Sequence, residues 1–225
     1  MIDLDAYLES LIAECRAAFG GRLLYVGLQG SYLRGEATED SDVDIMLLID
    51  RLTAQDLDEY RTILDRIGNA EKSCGFLCGR DEMARWNPLE IRHLRHTTKD
   101  FFGALENYLP DASRADEINF VKLSLGNLYH ELCHRYVHAD RETNRRKLCR
   151  TLKGLFFLMQ DLCCLETGTF AATKRELSEL VSEEDRAVLR LTETPDPLTP
   201  ADFDRAFRQV FDWCQNAFVR ASHLG

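Results

Sequence analysis

The chain has 225 residues, enough for one large domain or two small ones. Its formal net charge of -10 argues against general binding to nucleic acid or to anionic membranes, because no excess of Lys and Arg is available to neutralise phosphates. A hydrophobic content of 45% with 29% charged residues is typical of a soluble protein with a real core. No apolar run approaches the ~20 residues that would cross a bilayer, so no membrane association is expected.

The start of the chain and the cysteines both bear on the cellular compartment. The first ten residues, MIDLDAYLES, are acidic and contain neither a basic region nor an apolar stretch, so we expect no secretory signal. The eight cysteines are scattered through predicted helices and strands without a CxxC pair. This pattern favours reduced, buried thiols over a disulfide scaffold or a Cys-rich zinc site. The sequence therefore predicts a cytoplasmic protein.

The first half of the chain alternates helical patterns with short apolar runs. Helices are predicted over residues 4–19, from the N-cap Thr53 to Gly68, and after Trp86-Asn87-Pro88. Strands are predicted over residues 23–29, 43–49 and 73–78. The second of these strands, VDIMLLI, is apolar throughout, which is typical of a central strand buried on both faces.

The second half contains only helical patterns. A polar segment over residues 107–117, which includes Pro110, reads as a domain boundary. The last helix is predicted to begin at Thr199-Pro200. We therefore predict an α+β chain, with a domain built on a small mixed β-sheet over residues 1–108 and an all-α helical bundle over residues 109–225.

Two aspartates, Asp42 and Asp44, stand one residue apart where the second predicted strand begins. Side chains at positions i and i+2 of a strand project from the same face, so we expect the two carboxylates to converge. Two carboxylates this close repel each other unless a cation lies between them. Oxygen ligands with no neighbouring His or Cys suit Mg²⁺ or Mn²⁺.

A Gly-Ser turn precedes the aspartate pair. Gly30 and Ser31 follow the first predicted strand and precede a short predicted helix over residues 32–35. Such a turn lets a phosphate group approach the backbone closely and offers it free N–H groups and a hydroxyl. The guanidinium group of Arg34 could donate two parallel hydrogen bonds to phosphate oxygens. Taken alone, the Gly-Ser turn could be an ordinary tight turn and the aspartate pair could be the polar end of a strand. The turn followed by the aspartate pair favours metal-assisted phosphoryl or nucleotidyl transfer.

The run GSYLRGEATEDSDVD, residues 30–44, resembles the signature of the DNA polymerase beta-type nucleotidyltransferase superfamily. With its helical second domain, the chain is similar to the antibiotic (aminoglycoside) nucleotidyltransferases. The resemblance implies that Gly30, Ser31 and Ser41 bind the nucleotide and that Asp42 and Asp44 bind Mg²⁺. It also implies that an acceptor hydroxyl attacks the α-phosphorus of ATP or another NTP and releases pyrophosphate.

The resemblance continues more loosely into the helical half. Lys174 falls where such enzymes carry a lysine that reaches the triphosphate, although a solvated lysine at the start of a helix is an equal alternative. Kanamycin-modifying relatives draw their general base from a helix of the second domain, and Glu131 lies in the corresponding helix here. Glu131 is therefore the candidate base, and Arg135, one turn later on the same face, is predicted to steady phosphate.

One part of the superfamily pattern is missing. Many members place a third acidic residue on the next strand, but residues 72–78 read KSCGFLC and contain no acid. Glu71 lies just before this segment, and Asp81 and Glu82 lie just after it. The gap leaves open a second reading, in which the chain is a catalytically impaired nucleotide-binding protein or a toxin–antitoxin-type interaction protein with the same fold.

The helix that carries Glu131 also suggests a rival function. Residues 130–134, HELCH, fit the H-E-x-x-H pattern in which two histidines bind zinc and the glutamate activates water. The metzincin continuation needs Gly and His where this chain has Val137 and Asp140, so a zinc protease is the weaker hypothesis.

The acidic composition suits a small, hydroxylated acceptor that is cationic, such as an aminoglycoside, because negative surfaces concentrate positive ligands. Antibiotic resistance is the corresponding physiological expectation. The sequence leaves open the acceptor, the preferred NTP and the oligomeric state, a dimer included.

Overall fold

The computed structural model describes residues 2–193 and 198–225. The chain divides into two compact units, Met1–Ala112 and Ser113–Gly225. The first unit contains α1 (Leu4–Phe19), β1 (Leu23–Leu28), α2 (Gly30–Arg34), β2 (Val43–Ile49), α3 (Ala54–Ile67), β3 (Ser73–Gly79), α4 (Arg80–Met83), α5 (Pro88–Thr97) and β4 (Lys99–Phe102).

The four strands of the first unit form one sheet in the order β3-β2-β1-β4. Strands β2 and β3 are parallel, whereas β1 runs antiparallel to both β2 and β4. The predicted small mixed sheet is therefore confirmed. The helix α3 between β2 and β3 supplies the crossover that a parallel pair requires.

Strand β4 is absent from the sequence prediction, which continues a helical pattern through this region. The strand has only four residues, and its first two are exposed, so it shows no apolar alternation. It forms because β1 offers a free edge, and the Tyr25 hydroxyl donates a 2.7 Å hydrogen bond to Asp100 on β4.

Alternate residues of β2 enter two different cores, which explains its unbroken apolar run. Ile45 and Leu47 pack in the core that also contains residues of α1 and α3. Met46 and Leu48 face the opposite layer, where Met83 of α4 is also buried. A strand covered on both faces has no solvent-facing side that could be polar.

The helix α3 begins and ends where local chemistry predicts. Thr53 and Asp56 form a capping box, in which each side chain accepts a hydrogen bond from the backbone N–H of the other residue. Asp56 also accepts two hydrogen bonds from Arg22, of 2.7 and 3.1 Å, so the start of α3 is tied to the start of β1. Gly68 closes the helix at a positive φ of 81°.

The second unit is helical throughout its described residues. It contains α6 (Arg114–His138), α7 (Arg141–Thr167), α8 (Lys174–Leu180), α9 (Glu183–Leu191) and α10 (Pro200–Ser222). Pro200 occupies the first turn of α10, as predicted, behind the N-cap Thr199. Together the two units confirm the predicted α+β class, a small mixed sheet followed by helices.

A buried charge network joins three helices of the second unit. Asp185 of α9 is 2% exposed and accepts hydrogen bonds of 2.6 Å from the Trp213 indole and 2.7 Å from Arg220, both on α10. Arg220 also forms a bidentate pair with Glu166 of α7, at 2.6 and 2.7 Å. Burial of Asp185 is tolerated because its charge is paired and hydrogen-bonded.

Within residues 2–193 and 198–225, no helix combines the length and apolar character that a membrane crossing requires.

Candidate functional site

The turn between β1 and α2 is anchored to β2. The backbone N–H of Gln29 donates a 2.8 Å hydrogen bond to the Asp44 carbonyl. Gly30 follows at φ 69°, and a methyl group on its Cα would overlap Oδ2 of Asp44 and lie 2.7 Å from its Cγ. A side chain at this position would therefore be strained by the positive φ and would displace the Asp44 carboxylate. The structure brings Gly30 and the Asp44 carboxylate into direct contact.

The two aspartates differ in their surroundings. Asp44 lies inside β2, half-buried, on the face from which Met46 and Leu48 also project. Asp42 precedes the first residue of the strand and is exposed. One carboxylate is thus fixed by the sheet, and the other is carried by the loop that enters it.

Cys74 of β3 is the direct neighbour of Asp44 on the parallel strand. Desolvation, together with the charges of Asp44 and Asp42, raises the pKa of the Cys74 thiol. A neutral thiol therefore occupies the position beside Asp44 where a third carboxylate would complete an acidic cluster.

The acids that flank β3 lie at opposite ends of the strand. Gly79, the last residue of β3, pairs with Ile49, which lies about five residues, or roughly 16 Å, along β2 from Asp44. Asp81 and Glu82 come after Gly79, so they lie beyond that end of the strand. Glu71 lies in a short 3-10 helix just before β3, at the same end as Asp42, and is exposed. Glu71 is the only one of these three acids at the aspartate end of the strand.

The donor set fits a hard divalent cation. Among the described residues, no three His, Cys, Asp or Glu side chains gather closely enough to form a metal-binding group. Asp42 and Asp44 stay the predicted pair of carboxylate ligands. Mg²⁺ is commonly held by one or two carboxylates, with water and substrate phosphates in its remaining positions.

The other predicted nucleotide-binding residues of the first unit make contacts with residues close to them in the sequence. Ser31 stands in the first turn of α2, and its carbonyl accepts a 2.9 Å hydrogen bond from the Glu36 N–H. Arg34, at the end of α2, forms a 2.8 Å ion pair with Glu36. Ser41 closes a polar turn, where its hydroxyl accepts a 2.9 Å hydrogen bond from the Thr38 N–H. The structure thus gives Arg34 and Ser41 local partners, and their contacts with nucleotide stay predictions.

Glu131 and Arg135 of α6 belong to the second unit and contact each other. Arg135 is only 4% exposed, and it donates to the Thr151 hydroxyl on α7 at 2.9 Å and pairs with Glu131 at 3.2 Å. Burial lowers the pKa of Arg135. The side chain of Glu131 is 55% exposed. Arg135 therefore joins α6 to α7, while the Glu131 carboxylate is open to solvent.

Lys174 is the first residue of α8, behind the N-cap Thr173. Its ammonium group donates a 2.7 Å hydrogen bond to the carbonyl of Thr192, the C-cap of α9. The lysine thus satisfies a carbonyl at the end of a neighbouring helix. Its predicted contact with a triphosphate stays a prediction.

Two residues near the aspartates are missing from the sequence prediction. Gln29 anchors the turn through its backbone, and its side chain donates a 2.7 Å hydrogen bond to Thr98. Cys74 can be recognised as a neighbour of Asp44 only when β3 is aligned with β2, because a cysteine in the sequence suggests no more than a buried thiol. The sequence places Cys74 in a predicted strand, but the register of that strand with β2 cannot be read from local sequence.

Residues 8–74 match the family model described as nucleotidyltransferase domain. The matched segment extends from α1 to Cys74, and it includes Gly30, Ser31, Asp42 and Asp44. The sheet-containing unit therefore includes a segment that matches a nucleotidyltransferase domain, in agreement with the resemblance given by residues 30–44.

Individual relatives cover part of the chain or share its fold. A Methanocaldococcus jannaschii protein named as a candidate protein adenylyltransferase is 34% identical over 62 residues, 28% of this chain and 42% of that protein. The protein adenylyltransferase MntA of Thermococcus cleftensis is 39% identical over 62 residues, 26% of this chain and 61% of the relative. The aligned segment thus spans less than two thirds of either relative.

One solved structure resembles nearly the whole chain. Spectinomycin adenyltransferase AAD(9) from Enterococcus faecialis, in a crystal structure with ATP and spectinomycin, matches 95% of this chain and 98% of its own with a TM-score of 0.57. The sequence identity is 14%, so this likeness shows a common fold.

Proposed function

We propose that the protein is a metal-dependent nucleotidyltransferase that transfers the AMP group of ATP to a hydroxyl group of an acceptor. The contact between Gly30 and the Asp44 carboxylate carries the proposal. It joins the turn that would hold phosphate to the acid that would hold the metal, inside a segment that matches the nucleotidyltransferase domain. The curated relatives, both named as adenylyltransferases, favour ATP as the nucleotide.

Each residue of the site would have a distinct task. Asp42 and Asp44 would hold Mg²⁺ or Mn²⁺, which supplies Lewis-acid stabilisation of phosphate charge when bound. Gly30 would admit the phosphates close to the backbone, and Ser31 would offer its hydroxyl and the free N–H groups of a helix start. Arg34 would lend a guanidinium to a phosphate oxygen.

The reaction would form one bond and break one. The acceptor oxygen attacks the α-phosphorus, the new P–O bond forms, and the bond from the α-phosphorus to the departing pyrophosphate breaks. The acceptor proton passes to a base, for which Glu131 is our candidate because its carboxylate is exposed. Cys74 occupies the position beside Asp44, so no carboxylate of β3 fills that role at this point of the sheet.

Two classes of acceptor, and one alternative without transfer, each have separate support. The net charge of -10 supports a small cationic acceptor with hydroxyl groups, such as an aminoglycoside. The names of the two curated relatives support a second candidate, a hydroxyl side chain of a protein. The thiol beside Asp44 supports a third possibility, a nucleotide-binding protein that transfers nothing.

The deciding experiment is transfer of label from α-³²P-ATP in the presence of Mg²⁺. The acceptors are a panel of aminoglycosides in one arm and purified hydroxyl-bearing proteins in the other, including the chain itself, and pyrophosphate release is measured in parallel. We expect labelled product in one arm and none without divalent metal. Metal-dependent ATP binding with no pyrophosphate release in either arm would contradict transfer and support the nucleotide-binding alternative.

A matched pair of variants tests the metal site directly. Asp44→Asn removes the carboxylate beside Gly30, whereas Asp40→Asn removes an exposed carboxylate from the preceding loop. We expect Asp44→Asn and Asp42→Asn to abolish metal-dependent ATP binding and Asp40→Asn to preserve it. Equal ATP affinity in all three variants would overturn the proposed site.

A further inference from the structure

Three histidines follow one another along one face of α6 near its carboxyl end. His130, His134 and His138 are spaced four residues apart, and all three are exposed. The ring centroids of His134 and His138 are 4.8 Å apart, and those of His130 and His134 are 6.0 Å apart. Residues at i and i+4 lie one above the other on a helix, so the rings form a short ladder.

We propose that His134 and His138 form a surface site that binds one first-row transition-metal ion, Cu²⁺, Ni²⁺ or Zn²⁺, through two imidazole nitrogens. Imidazole is a preferred ligand of all three ions. Metal–nitrogen bonds of about 2.0–2.1 Å require the two nitrogens to approach each other within roughly twice that length. The ring centroids are 4.8 Å apart, so rotation of the two side chains can bring one nitrogen of each ring within this distance.

The end of the helix adds an electrostatic reason for choosing this pair. His138 is the last residue of α6, so the ion would lie beside the final turn. The carbonyl groups of that turn give the helix end a partial negative charge, which favours a bound cation. His130 lies two turns earlier, farther from this charge and with wider ring spacing.

Two ligands define an open binding site and not a hydrolytic centre. Structural zinc is held by four protein ligands, and catalytic zinc by three and a water. In the part of the chain that the structure describes, no group of three His, Cys, Asp or Glu side chains is placed to hold a metal. The HELCH segment therefore lacks the third ligand of a zinc protease among these residues, while the His pair remains suited to weaker, exchangeable binding.

The test titrates the full chain with Cu²⁺, Ni²⁺ or Zn²⁺ as simple salts, with affinity measured by calorimetry. Nitrogen coupling in the electron paramagnetic resonance spectrum of bound Cu²⁺ reports the ligand type. We expect the affinity order Cu²⁺ above Ni²⁺ and Zn²⁺ and coupling to two nitrogens. His134→Ala and His138→Ala should each weaken Cu²⁺ binding about tenfold or more, equivalent to about 1.4 kcal/mol.

The controls separate this site from other histidines and from the aspartates. His223→Ala removes an exposed histidine at the end of α10, and His130→Ala removes the distant member of the ladder, so neither should change Cu²⁺ affinity. Asp42→Asn with Asp44→Asn should preserve nitrogen-coupled Cu²⁺ binding, because the proposal is independent of nucleotide transfer. Equal Cu²⁺ affinity in His138→Ala and the parent, or equal losses in His130→Ala and His138→Ala, would overturn it.

Discussion

Cys74 stands in register with Asp44 on the adjacent parallel strand, where desolvation and the charge of Asp44 raise the pKa of the Cys74 thiol. An acidic side chain at position 74 of β3 would therefore lie beside Asp44. One mutation at Cys74 can therefore place a third carboxylate beside Asp44.

Cys74→Asp should strengthen metal-dependent nucleotide binding. A third carboxylate beside Asp44 adds negative charge and ligand capacity, and we expect Mg²⁺ affinity to rise by about tenfold in the presence of ATP. Without metal, the added charge should lower the melting temperature, because three carboxylates repel one another. Cys74→Ser is the control, since it keeps a small neutral side chain; a similar gain in Mg²⁺ affinity for both variants would contradict the charge argument.

Gly30→Ala should disable the site more severely than its conformational strain explains. Gly30 and Gly35 both have φ 69°, but a methyl group at Gly35 meets no heavy atom within 4 Å, whereas one at Gly30 overlaps the Asp44 carboxylate. Each substitution should cost about 1–2 kcal/mol of unfolding free energy from left-handed backbone strain. Only Gly30→Ala should also displace Asp44 and abolish metal-dependent ATP binding. Equal ATP affinity in the two variants, measured by calorimetry, would refute the steric role.

Glu131→Gln should separate nucleotide binding from turnover. If the Glu131 carboxylate accepts the acceptor proton, kcat should fall by about 10²–10⁴-fold, while affinity for ATP and Mg²⁺ stays unchanged. Glu184→Gln, an exposed glutamate of α9 in the same unit, is the matched control. An unchanged kcat in Glu131→Gln would remove this residue from the reaction. Circular dichroism checks that α6 persists, because Glu131 also pairs with the buried Arg135.

The Arg22–Asp56 pair should make the first unit sensitive to acid. Hydrogen bonding to Arg22, opposed by desolvation and aided by Thr53, lowers the pKa of Asp56 from 3.8 to about 2. A folded-state pKa below the unfolded value means that the stabilisation is fully present above pH 3.8 and is lost as the pH falls toward 2. Because the Arg22 side chain is 45% exposed, we discount the effect to about 1–2 kcal/mol.

Chemical denaturation at pH 5, 3.5 and 2.5 measures this loss. Arg22→Met should lower the free energy of unfolding at pH 5. It should also reduce the part of the fall in that free energy between pH 5 and pH 2.5 that comes from Asp56. Arg61→Met is a suitable control, since Arg61 forms only an exposed 3.8 Å pair with Asp58. Parallel pH curves for Arg22→Met and the parent protein would show that the pair carries no acid sensitivity.

The elements predicted best are those with strong local chemistry. Thr53 and Gly68 mark both ends of α3 because the cap and the positive φ are properties of a few consecutive residues. The apolar run of β2 identifies a central strand because both of its faces are buried. By contrast, β4 has four residues and half-exposed or exposed side chains, so its identity depends on a partner strand more than 70 residues earlier in the chain.

The candidate site divides in the same way. The turn at Gly30, the position of Asp44 in β2 and the position of Asp42 just before it are readable from consecutive residues, since backbone conformation and strand boundaries are local. The opposition of Cys74 to Asp44, the overlap that excludes a side chain at Gly30 and the burial of Arg135 against Thr151 were decided only by tertiary structure. Register and burial depend on how distant segments pack, and no local pattern of residue types contains that information.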